Sequence, residues 1–132
     1  MMKIVLVFRW YGEDQEEAVN NMYKIASVLE KEHKVYHATK DAKFLDTLPE
    51  WKVLEHVFKE IEDADALLVY QKSNDVSEGM LIEVGYAVAK GKKIIWAKKK
   101  GVHNRYLIDG AVHTIEFNDI NDLLIKLKKL KL

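Results

Sequence analysis

The chain has no cysteine in its 132 residues, which excludes disulfides, thiolate metal sites and cysteine nucleophiles and fits a reducing compartment. The cytoplasm is the expected location. Proline occurs once, at Pro49, and no repeat or linker interrupts the pattern. An excess of one charge is also missing. The 21 basic and 21 acidic residues cancel, so no global field argues for a nucleic-acid polymer or a membrane surface as partner. No apolar run approaches spanning length, and the opening stretch from Met1 to Phe8 is too short and too quickly charged for a signal peptide. What remains is a 48% hydrophobic chain, enough to bury a core of its own as one domain over residues 1–132.

Short β-rich runs alternate with amphipathic helical stretches. Lys3 to Phe8 reads as a strand, and the loop Arg9-Trp10-Tyr11-Gly12-Glu13-Asp14 leads into a helical pattern that runs to about Lys31. Ala18, Met22, Ile25, Ala26 and Leu29 supply the buried face of that helix. Lys34 to His37 is a short second strand, followed by a polar, mobile connection that carries Asp41, Asp46 and Pro49. A helix over Trp51 to Glu62 precedes a buried strand, Ala66 to Tyr70. Asp75, with Glu78 three residues on, has capping-box spacing for the next helix, which ends near Gly91. Lys93 to Ala97 and Val112 to Phe117 are the last two strands, and Asp119 caps a final helix.

This alternation predicts an α/β domain with a flavodoxin-like (Rossmann-like) five-stranded parallel sheet in the order 2-1-3-4-5, covered by helices on both faces. Ligands of such sheets bind outside the carboxyl ends of the strands. That rule selects Arg9 to Asp14, Gln71 to Gly79 and Lys98 to Gly110. The helix after the third strand carries an apolar stripe of Met80, Val84, Ala87 and Val88, with Val76 at its edge and Glu83 bordering it. A carboxylate there, near Gly79 and Gly85, is a candidate for a perturbed group with a chemical task, and its side chain tilts back toward the ligand crevice. A boundary glutamate bonded to neighbouring backbone is the plainer reading.

Several chemistries lack their residues. There is no phosphate-binding P-loop and no dinucleotide GxGxxG motif. The five histidines are scattered without metal-ligand spacing, so neither a metal nor a cofactor is expected. No nucleophile elbow marks a serine. Lys98-Lys99-Lys100 and the lysines of the C-terminal stretch read as solvated faces.

The run Ser77-x-Gly79-x-x-x-Glu83-x-Gly85-Tyr86-Ala87, followed by Gly91-Lys92-Lys93-Ile94-Ile95, resembles the signature of the nucleoside 2-deoxyribosyltransferase superfamily, and most of all its small 2'-deoxynucleoside 5'-phosphate N-hydrolase branch. The likeness extends to Tyr23-Lys24-Ile25, Ala64-Asp65 and Ile108-Asp109-Gly110-Ala111. It implies that Glu83 attacks the anomeric carbon of a small-molecule nucleoside or nucleotide, giving a covalent glycosyl-enzyme that water or a second base resolves. It further implies 5'-phosphate contacts from Ser77, the helix-start amides near Gly79, and the first loop with Arg9 and Gly12. The family is dimeric with shared active sites, so a homodimer is expected, with Asn104 and Arg105 reaching the neighbouring subunit's site. Trp10 and Tyr11 are candidates to stack on a base.

The chain departs from the family pattern in two places. The branch has a longer glycine-rich first loop with a serine, and it tends to carry an aspartate where Val57 stands here, flanked by Glu55 and His56. The leaving-group acid is therefore unassigned. The alternative to an N-glycosidase is a catalytically silent nucleotide-binding or assembly module of the same fold.

Overall fold

The computed structural model describes all residues, 1–132. Strands β1 (Lys3–Phe8), β2 (Lys34–Tyr36), β3 (Ala66–Gln71), β4 (Lys93–Lys99) and β5 (His113–Phe117) form one parallel sheet in the order β2-β1-β3-β4-β5. This is the predicted α/β architecture. Central β3 is buried at every residue, as a parallel strand covered on both faces must be, whereas edge strand β5 alternates between buried and accessible positions.

Helices α1 (Gln15–Leu29) and α6 (Ile120–Lys129) cover one face, while α3 (Glu50–Glu62) and α4 (Glu78–Ala89) cover the other with the short α5 (Leu107–Gly110). Alternate residues of each strand feed the two cores. Ile4, Leu6, Leu68 and Phe117 pack under α1 and α6, and Val5, Val7, Leu67 and Trp96 under α3 and α4. Asp14 accepts from the Glu17 amide to start α1, and Asp119 accepts from the Asp122 amide to start α6.

Four details differ from the sequence expectation. Helix α4 is capped by Ser77, whose Oγ accepts from the Met80 amide at 3.2 Å; Asp75 lies in the preceding turn, where its own amide donates to Ser73 Oγ. Both residues have cap chemistry, and the extended backbone at Ser77 decides between them. The connection after β2 is not an open loop. It holds a 3-10 turn (Ala38–Asp41) and the short α2 (Ala42–Leu45), anchored by buried Leu45. Helix α1 stops at Leu29, two residues short of the predicted end. On α4, Met80 and Ala87 enter the core, but Val88 is 60% exposed, and Val76, which precedes the helix, is 39% exposed, so the apolar stripe is narrower than its periodicity suggested.

Candidate active site

Chain direction diverges between β1 and β3: α1 leaves toward one face of the sheet and α4 toward the other. A crevice opens at their carboxyl ends, as the topological rule requires. Buried Gln71 forms part of its floor, held in place by Trp96, whose indole N–H donates to Gln71 Oε1 at 3.0 Å. Buried Asn21 enters from α1.

The mouth of the crevice is charged and closely paired. Arg9 Nη1 donates to Glu13 Oε1 at 2.8 Å, Lys72 Nζ sits 2.9 Å from Glu13 Oε2, and Lys72 also lies 3.7 Å from Glu17. Burial pushes the Glu13 carboxyl up, but its hydrogen bonds and charge pairing with Lys72 and Arg9 more than offset this and hold it below the usual carboxylate range. The same bond raises Lys72. Gly12 makes the turn possible twice over. Its φ is 81°, and a Cβ there would stand 2.5 Å from the Arg9 guanidinium.

Glu83 lies on α4 one turn beyond Met80, which lines the crevice. Its side chain is partly buried, and no hydrogen bond or cation compensates; burial alone pushes its carboxyl up to about 8. Four residues earlier, Gly79 shares its helix face, and a Cβ at Gly79 would meet nothing within 4 Å. Helical side chains lean toward the N-terminus, so Glu83 extends toward the open position at Gly79. Gly85 serves no such purpose, since it is exposed on the outward side of α4.

A second cluster stands on the same face of the sheet. Tyr36, at the end of β2, donates its hydroxyl to Asp41 Oδ2 at 3.0 Å, and His56 Nε2 of α3 lies 3.2 Å from the same oxygen. Burial first, then Asp41, pushes the Tyr36 phenol far up, with Glu60 and Glu83 adding to the effect. Tyr36 thus lies within electrostatic reach of Glu83. No sequence spacing announces this cluster, because its members come from a strand end, a 3-10 turn and a helix. Val57, the departure from the family pattern, is a core residue at 5% exposure. His37 is buried and neutral, lowered to about 4 by burial; its Nδ1 meets the Thr39 hydroxyl, and its ring stands edge-on to Tyr23 at 4.7 Å.

The other sequence candidates are dispersed. Trp10 packs edge-on against Phe8 at 6.2 Å, and the exposed Tyr11 donates to Glu50 Oε1 at 3.1 Å. Asn104 accepts from the amides of Tyr106 and Leu107, so its carbonyl shapes the turn into α5. Arg105 is exposed on that turn, and neither residue lines the crevice. Helix α4 also presents Leu81, Ile82 and Val88 outward at 52%, 46% and 60% exposure. No helix is long and apolar enough to cross a membrane.

Residues 6–116 match the family model described as nucleoside 2-deoxyribosyltransferase. The chain belongs to this family. Among solved structures, it is similar to the CMP N-glycosidase of Clostridium botulinum, at 25% identity and a TM-score of 0.71, over 96% of this chain and 98% of that one. It also matches a 2-deoxyribosyltransferase of Bacillus psychrosaccharolyticus, at 21% identity and a TM-score of 0.71, over 98% of this chain and 93% of that one. A conserved protein of Enterococcus faecalis V583 matches at 16% identity with a TM-score of 0.72, over 98% of both chains. The last two likenesses speak to the fold alone. No curated protein matches the sequence. This nucleoside 2-deoxyribosyltransferase family member is an enzyme of glycosidic-bond cleavage or base exchange, acting on small nucleosides or nucleotides.

Proposed function

We propose that the enzyme breaks the C1'–N bond of a nucleoside or its 5'-monophosphate through a covalent glycosyl-Glu83 intermediate. The observation that carries this reading is the uncompensated, partly buried Glu83 carboxyl, whose side chain leans toward the open position at Gly79. In the ionised state, a Glu83 oxygen forms a bond to C1' as the C1'–N bond breaks, and the departing electron pair stays on the base, which takes up a proton. In the linked Tyr36–Asp41–His56 cluster on the same face of the sheet, the imidazole of His56 is the group that passes that proton to the base. Water then attacks C1', gives up its proton and frees the Glu83 carboxylate; a second base in place of water gives exchange. Partial desolvation strengthens the nucleophile, and the raised pKa is the cost of that placement.

The test is a panel of deoxyribo- and ribonucleosides and their 5'-monophosphates, with and without an added free base, read as liberated base by chromatography. Base release is the expected result, and exchange with the added base marks a transferase. Binding without turnover across the whole panel would make the protein a silent nucleotide-binding module instead.

The same reading makes the enzyme a homodimer through the outward face of α4. Ile82 lies opposite the core-facing Met80 and Ala87, and Leu81 and Val88 flank the core side, so this helix carries a second, exposed apolar surface, as a helix that packs against a further surface does. Sedimentation should give a dimer for the native chain and a monomer for Leu81→Arg, whose activity should fall at least about tenfold as shared sites are lost. A native monomer at micromolar concentration rules out the dimer.

A further inference from the structure

We infer that the crevice takes a nucleoside with a free 5'-hydroxyl in preference to its monophosphate, and that Glu13 sets this choice. The inference rests on the proposed function and concerns the end of the substrate away from the reacting bond. With C1' at Glu83, Met80 is the bridge to the mouth of the crevice: it stands one turn earlier on α4 and lines the same opening as Arg9, Glu13 and Lys72.

Those two cations are what a phosphate would need, and both are paired with Glu13. Glu13 accepts from Arg9 at 2.8 Å and from Lys72 at 2.9 Å, with a side chain only 10% exposed. Asp75 is the fourth charged residue of the lining, so Arg9 and Lys72 are cancelled by Glu13 and Asp75 and the opening is formally neutral. At the start of α4, Ser77 Oγ already accepts from the Met80 amide.

At the Arg9–Lys72 pair, a phosphate dianion has two ways in. It can sit beside the Glu13 carboxylate and meet like-charge repulsion, or it can evict that carboxylate from both cations and leave it partly buried and unpaired. A hydroxyl faces neither problem. It donates to the Glu13 carboxylate or accepts from Lys72, and the ion cluster stays intact. The discrimination comes from a built-in repulsive element as much as from a new contact.

The experiment compares kcat/KM for nucleosides and for their 5'-monophosphates carrying the same base, in the native enzyme and in Glu13→Gln. The native enzyme should favour the nucleoside at least about tenfold, and Glu13→Gln should move the ratio toward the monophosphate by about a hundredfold or more, since it frees two charged donors for the phosphate. Inorganic phosphate should inhibit Glu13→Gln competitively and leave the native enzyme unaffected. A native preference for monophosphates overturns the inference, as does a ratio unmoved by Glu13→Gln. Calorimetric binding of the same pairs to Glu83→Gln, which cannot turn over, keeps the question separate from catalysis. If no compound releases base but nucleosides bind more tightly than monophosphates, the catalytic reading fails and the assignment of Glu13 stands; the reverse order of binding removes Glu13 from that role.

Discussion

Glu83→Gln is expected to abolish base release and, above neutral pH, to raise the melting temperature. The first effect follows from removing the nucleophile and should exceed about a thousandfold in kcat. The second follows from linkage. Burial raises the folded-state pKa of Glu83 from the ordinary 4.5 to about 8. Between those values the folded protein holds a proton that the unfolded chain releases, so stability falls as pH rises from about 4.5 and the loss is complete above about 8. Glutamine carries no such liability. At pH 9 the variant should be more stable by roughly 2–4 kcal/mol, and below pH 4 the two proteins should melt together apart from the effect of the amide itself. Calorimetric melts at both pH values decide it, and equal melting temperatures at pH 9 would mean that the carboxyl is solvated. The same shift predicts a kcat/KM that climbs with pH, reaches half its maximum near 8 and levels off above it.

Gly79→Leu should separate folding from function in the opposite way. Position 79 has an ordinary helical backbone and nothing within 4 Å of an added Cβ, so no strain or clash opposes a side chain there. Helix propensity alone should leave stability unchanged or improve it by up to ~1 kcal/mol. On the proposed reading the added isobutyl group fills the open position toward which Glu83 leans and from which a sugar must approach, and kcat/KM should drop at least about a hundredfold. Gly79→Ala should fall between the two. A leucine variant with native kcat/KM would show that substrate approaches Glu83 from another side.

Much of this was legible in the sequence. Short apolar runs separated by amphipathic stretches leave few arrangements other than a helix-covered parallel sheet, and of the three segments that the strand-end rule selected, those after β1 and β3 line the crevice while Lys98 to Gly110 does not. Glu83 stood out because a carboxylate at that helical phase conflicts with its apolar neighbours. The pairing of Glu13 with Lys72 was not legible, since it joins the loop after β1 to the end of β3 and exists only once those strands lie side by side. Tyr36, Asp41 and His56 were hidden for the same reason, and the turns over Ala38–Leu45 that position Asp41 carry no strong periodicity of their own. The start of α4 failed on a smaller scale: two residues with capping chemistry stand two positions apart, and only the backbone at Ser77 distinguishes them.

The bond from Trp96 to Gln71 gives the molecule an optical property. Of the three tryptophans, Trp96 is 1% exposed, while Trp10 is partly buried and Trp51 is 65% exposed. Quenchers dissolved in water therefore reach Trp51 readily and Trp96 hardly at all. The protected fluorophore is also the one whose indole N–H ends on the crevice floor. A ligand that turns the Gln71 amide changes the electric field along that N–H, so the emission of a residue that no ligand touches carries a record of whether the crevice is filled.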